Sequence, residues 1–101
     1  MKDYIFLMHD DATASERDRA GAPSWEQYLG TLRAAGRLSG GSSIGAGACV
    51  SKAGLSRAIT SQLSGYVRVR AASLEDALAL VAGNPVYEAG GTVEIRELPE
   101  D

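Results

Sequence analysis

Apolar and polar positions alternate with a two-residue period in some stretches of this chain and with a helical period in others, and the elements follow from which period rules where. Tyr4-Ile5-Phe6-Leu7-Met8 is a run of strand-forming residues closed by His9, Asp10 and Asp11, and it predicts a first strand buried on both faces. The polar stretch from Asp10 to Pro23, with Glu16, Arg17, Asp18 and Arg19 ahead of Gly21, reads as a loop, either plain or with a helical turn in it. Ser24 is placed to cap a helix in which Trp25, Tyr28, Leu29 and Leu32 recur on one inward stripe and which Gly36 stops. From Leu38 to Val50 the chain is rich in Gly and Ser, and Ile44, Ala46, Ala48 and Val50 alternate with small residues, predicting a second strand. Gly54 lies in a polar stretch, so residues 48 to 60 read as a hairpin extending that strand. Tyr66 to Ala71 is a third strand with Val67, Val69 and Ala71 on one face and Tyr66, Arg68 and Arg70 on the other. Ser73 and Asp76 resemble a capping box for a second helix with Leu74, Ala77, Leu78 and Val81 on one face, ended by Gly83-Asn84-Pro85. After a connection from Val86 to Gly91, Thr92 to Leu98 alternates again and forms a fourth strand, with Val93 and Ile95 opposed to Glu94 and Arg96.

The order βαββαβ is solved by a ferredoxin-like α+β fold, a four-stranded antiparallel sheet in the order 4-1-3-2 with both helices on one face. The first strand then lies in the middle, and both of its sides, Tyr4/Phe6/Met8 and Ile5/Leu7, are apolar. The helices cover only one of them. Exposed apolar surface costs roughly 25 cal/mol per Å², and a second copy packed face to face removes that cost, so a homodimer is expected.

A length of 101 residues and a 45% apolar fraction suit a single globular domain. With a formal net charge of −3 and acidic residues scattered among basic ones, no basic stripe exists to neutralise phosphates, so nucleic acid is not an expected partner. Cys49 is the only cysteine, which excludes a disulfide within one chain; a buried structural thiol in a reducing cytoplasm is the expectation. Neither a metal-ligand spacing nor a cofactor motif is present, and Gly40-Gly41 and Gly45-x-Gly47 precede no helix that could hold a phosphate, so close backbone packing is their expected role. The apolar run at the amino terminus is too short for a signal peptide or a membrane span.

Several segments carry a family resemblance. Lys2-Asp3-Tyr4-Ile5-Phe6-Leu7-Met8, Leu32-Arg33-Ala34-Ala35-Gly36-Arg37-Leu38-Ser39-Gly40-Gly41 and Leu63-Ser64-Gly65-Tyr66 occur in that order. Ser73-Leu74-Glu75-Asp76-Ala77, Asn84-Pro85 and Gly90-Gly91-Thr92-Val93-Glu94-Ile95-Arg96 follow. Together they resemble the YCII-related family, including its DGPF branch, over almost the whole length. The resemblance implies a ferredoxin-like protomer and a dimeric α/β barrel, and leaves activity open between enzymes and regulatory modules. Ser56 to Leu63 stands where the DGPF tetrapeptide would be, and Trp25 stands near the first-helix histidine of the YCII branch, so that branch's His-Asp dyad does not carry over.

His9 is the only histidine and sits where the first strand ends. A carboxylate within reach would make it a general acid or base near neutral pH, and Asp11, on the same side of a continuing strand, is the better placed neighbour. The plain alternative is a solvated histidine at a strand end. Arg68, Arg70 and Arg96 share one sheet face with Tyr66, and Arg68 and Arg96 would face each other across roughly 10 Å, a gap a small carboxylate or phosphate spans. Equally, those arginines can pair with Glu94 or with a partner's acidic residues and set dimer register. Two functions are therefore in play: acid/base chemistry on a small anionic or oxygenated metabolite in a dimer cleft, or a non-catalytic dimeric module that binds a ligand or a protein.

Overall fold

A computed structural model describes residues 1–15, 23–52, 54 and 59–100. The elements run β1 (Lys2–His9), α1 (Trp25–Ala34), β2 (Leu38–Ser43), β3 (Leu63–Ala71), α2 (Leu74–Ala79), α3 (Pro85–Glu88) and β4 (Thr92–Leu98). The four strands make one sheet in the order β2-β3-β1-β4, which read from the other edge is 4-1-3-2. Every pairing is antiparallel. This is an α+β fold consistent with the ferredoxin-like arrangement.

Strand β1 is central because it is the one strand apolar on both sides. On the helix side Tyr4, Phe6 and Met8 are buried, and their neighbours across the ladders, Val69, Val67 and Gly65 in β3, are buried with them. Val93 and Ile95 of β4 complete that face, opposite Met8 and Phe6. Tyr28 and Leu32 of α1, Ala77 of α2 and Val81 close the core from above. Tyr28 also donates its hydroxyl to the Leu80 carbonyl at 2.7 Å, tying α1 to the end of α2, and burial raises its phenol above the usual range, so the donor proton stays.

Helix α1 begins as expected at Ser24, whose Oγ accepts the Gln27 amide at 3.1 Å. Trp25, however, is 38% exposed and not a core residue. The buried stripe is Tyr28 and Leu32, and Trp25 lies with Leu29 and Arg33 on the adjoining stripe at four-residue spacing, over the β2 edge.

The second strand stops at Ser43, well short of Val50. The Ile44 amide still donates to the Ser64 carbonyl at 3.0 Å, but β3 begins at Leu63, so the stretch from Ala46 onward has no ladder partner, and Gly45 and Gly47 bring no side chain to bury. Residues 44–52 are exposed, including Val50 at 93%, and Cys49 is exposed, not a buried thiol. The hairpin expected over residues 48–60 falls in part on 53 and 55–58, outside the described residues; its described flanks form no strand. Close packing does explain Gly41, where a Cβ would lie 2.6 Å from the Tyr66 carbonyl oxygen, but around Gly40, Gly45 and Gly47 there is open space.

Helix α2 is shorter than the periodicity suggests and buries Ala77, with Val81 just beyond it, while Leu74 and Leu78 are each 51% exposed. Ser73 accepts the Asp76 amide, yet Asp76 does not complete a capping box. Its short carboxylate instead accepts from the Ala72 amide at 2.9 Å and from Arg37 Nη1 at 2.7 Å. The Asn84-Pro85 pair ends no helix but starts one: Asn84 Oδ1 accepts from the Val86 and Tyr87 amides, and Pro85 takes the first-turn position where its missing N–H costs nothing. Among the described residues no helix is long and apolar enough to cross a membrane.

The amide of Ala72 and the Arg37 guanidinium hold the Asp76 carboxyl below the usual carboxylate range. A depressed folded-state pKa means that on acidification the unfolded chain takes up the proton first. The contribution is therefore present above about pH 4 and is lost as pH falls through the folded value. Asp76→Asn is expected to lower the melting temperature at pH 7 and to narrow its deficit against the parent chain towards pH 2, as followed by circular dichroism.

Candidate functional site

The sheet face opposite the helices carries the residues singled out from the sequence. Ile5 lies directly between Arg68 of β3 and Arg96 of β4, so the two arginines flank the central strand as expected. The neighbouring rung reads Tyr66–Leu7–Glu94, and the one beyond Ile5 reads Arg70–Asp3–Leu98. Strict alternation along three antiparallel strands is enough to bring all four predicted binding residues to one face. Arg68 and Arg70 are exposed, Tyr66 is half-buried, and among the described residues neither arginine pairs with a carboxylate. Ile5 and Leu7, in the middle, are half-buried with no helix over them.

At the end of this face, the carboxylate on His9 is not that of Asp11. His9 Nε2 lies 3.0 Å from Glu94 Oε1, and Glu94 Oε2 lies 3.7 Å from Arg96 Nε. Thr92 is the direct neighbour of His9 across the β1–β4 ladder, so Glu94 is the diagonal residue on the same face, within reach of a long side chain. Asp11 is engaged elsewhere: its two carboxylate oxygens accept from the Thr92 amide at 2.8 Å and the Thr92 hydroxyl at 2.7 Å. Those two bonds, with a smaller effect of His9, hold its carboxyl below the usual range and clamp the segment after β1 to the start of β4. Sequence reasoning missed Glu94 as the histidine's partner because the pairing depends on the β1–β4 register, although its alternation already put Glu94 on the right face.

A carboxylate on Nε2 selects the tautomer with the proton there and leaves Nδ1 as an acceptor. Such a ring can take a proton at Nδ1 and have the resulting charge stabilised by the carboxylate, the general acid–base arrangement. Side-chain accessibility of 18% for His9 against 41% for Glu94 places the imidazole in a partly dry setting. Among the described residues no three of His, Cys, Asp and Glu come together as a metal would require.

The helix side of the sheet holds a concavity that the sequence did not announce. A cavity of about 540 Å³ lies under the α1 flank, walled by Trp25, Leu29, Leu38, Met8, Val67 and Val86. A smaller one of about 190 Å³ adjoins it, sharing Trp25, Ser64 and Val86 and reaching His9 and Asp10. The bond to Glu94 commits the His9 imidazole to the opposite face, so the dyad and the larger cavity are separated by the sheet.

The sequence model of the YCII-related domain matches residues 2–100. Among curated proteins, none matches the chain.

Glu94→Ala should abolish the tautomer preference of the single imidazole. In ¹⁵N spectra of the histidine ring the parent chain is expected to show the proton on Nε2, and the variant a mixture of both tautomers; an unchanged spectrum would remove Glu94 from the dyad.

Proposed function

From the premise that the chain belongs to the YCII-related domain family, we propose that it works as a homodimer joined through its helix-free sheet face, with His9 and Glu94 as an acid–base pair acting on a small anionic or oxygenated metabolite. The observation that carries this reading is the 3.0 Å contact between the only imidazole of the chain and a carboxylate on a face whose centre is apolar and uncovered. A second copy laid on that face would take Ile5 and Leu7 out of water, and lowering the local dielectric would strengthen the pair. Arg68 and Arg96, on either side of Ile5, are the cations that would hold a substrate anion. In this reading Tyr66 and Arg70 line the cleft, and Asp11 acts by fixing the segment that follows His9.

One observation favours the non-catalytic alternative. The second oxygen of Glu94 already meets Arg96, so the His9–Glu94–Arg96 chain also suits a charge network that sets the register of two packed sheets.

Light scattering is expected to give twice the 10.5 kDa of the chain at micromolar concentration, and Leu7→Asp, which places a charge at the centre of the joined faces, is expected to give the monomer with unchanged far-ultraviolet circular dichroism. A monomeric parent chain would end the dimer reading. Malonate and inorganic phosphate should each raise the melting temperature of the dimer, and Arg68→Gln/Arg96→Gln should remove the effect. If the double variant responds as the parent does, or if neither anion acts on the parent, the charge-network alternative stands in place of the acid–base one.

A further inference from the structure

The larger cavity has an origin in the composition of the sheet edge. Beyond the Leu38–Val69 pair, the helix-side pairs of β2 and β3 are Gly41 with Val67 and Ser43 with Gly65, so three of these four positions carry no side chain larger than serine's. Gly41 cannot be enlarged without meeting the Tyr66 carbonyl, and a Cβ on Gly65 would lie 3.1 Å from the Ser42 carbonyl oxygen, so close strand approach keeps the floor bare. Helix α1 passes over this floor with the stripe Trp25, Leu29 and Arg33 turned to it. The resulting space, about 540 Å³, is far larger than the voids that folded interiors retain and falls in the range of small-molecule sites.

Its lining is chemically one-sided. Six apolar side chains form the walls, Ser42, Ser43, Ser64 and Tyr66 also border it, and among the described residues the one charged side chain of the lining is Arg33, whose guanidinium pairs with no carboxylate among them. A lone guanidinium on an apolar cleft matches one negative charge, and its planar fork matches a carboxylate. A dianionic phosphate would leave a charge uncompensated against apolar walls.

The geometry points to a ligand site between α1 and the β2–β3 edge for a monocarboxylate with an apolar body, the carboxylate on Arg33 and the body against Trp25, Leu29, Met8 and Val67. This site is distinct from the His9–Glu94 face and does not depend on it.

Trp25 is the only tryptophan of the chain and lines the cavity, so its emission reports occupancy directly. Titration of the parent protein with octanoate is expected to give a saturable blue shift. Arg33→Gln should weaken octanoate at least tenfold while leaving the weaker binding of 1-octanol unchanged, and Ser43→Phe, which fills the floor, should abolish both. His9→Ala should bind octanoate as the parent does, which separates a failure here from a failure of the acid–base reading. Absence of a saturable shift in the parent protein, or equal octanoate affinity in Arg33→Gln, would overturn the assignment. Arg33 is exposed and makes no ion pair among the described residues, so the Gln variant is expected to keep the parent melting temperature and its binding result can be read directly.

Discussion

The placement of β1 between β3 and β4 is the constraint on which the rest of the molecule depends. A strand apolar on both sides must be covered twice, and only the interior of a sheet provides ladders on both edges to hold it there. One cover is internal: Tyr28, Leu32, Ala77 and Val81 close over Tyr4, Phe6 and Met8. The other side, with Ile5 and Leu7 at its centre, is what gives the opposite face its distinctive character. There an apolar spine runs between two columns of polar and charged side chains.

That arrangement gives the polar columns their chemistry. Arg68 and Arg96 are brought to either side of Ile5 by two independent ladders, although 28 positions of the sequence numbering separate them. Glu94 gains both a histidine and an arginine because alternation puts Arg96 two residues along and the register puts His9 on the diagonal. Asp11 shows the contrary case. It is close to His9 in sequence, yet the amide and hydroxyl of Thr92 offer it two bonds at once, and it takes those.

The helix side of the sheet treats space in two ways. Over β1 the side chains are large and the core is filled. At the β2 edge glycine and serine replace them, because the strands approach too closely for a side chain at Gly41, and α1 bridges over the gap instead of collapsing into it. Trp25 belongs to that bridge. Its exposure follows from the missing floor, not from a change in the helix, whose capping and buried stripe of Tyr28 and Leu32 are regular.

Periodicity alone determined three of the four strands, the main helix, the central position of β1 and the face on which Arg68, Arg70, Arg96 and Tyr66 stand. These are local properties: a period of two or of 3.6 residues is written in adjacent positions and survives whatever the rest of the chain does. Where the sequence misled, the deciding information was not local. Alternation from Ile44 to Val50 formed no strand because β3 starts at Leu63 and leaves all but the first residues of that stretch without a ladder partner. Asn84-Pro85 served as a helix start because its capping bonds run forward, to Val86 and Tyr87. Only tertiary structure decided that His9 meets Glu94, that Asp11 meets Thr92, and that a cavity opens under α1, since each depends on register between distant strands or on the volume left between layers. Such quantities are sums over contacts that no single stretch of sequence contains.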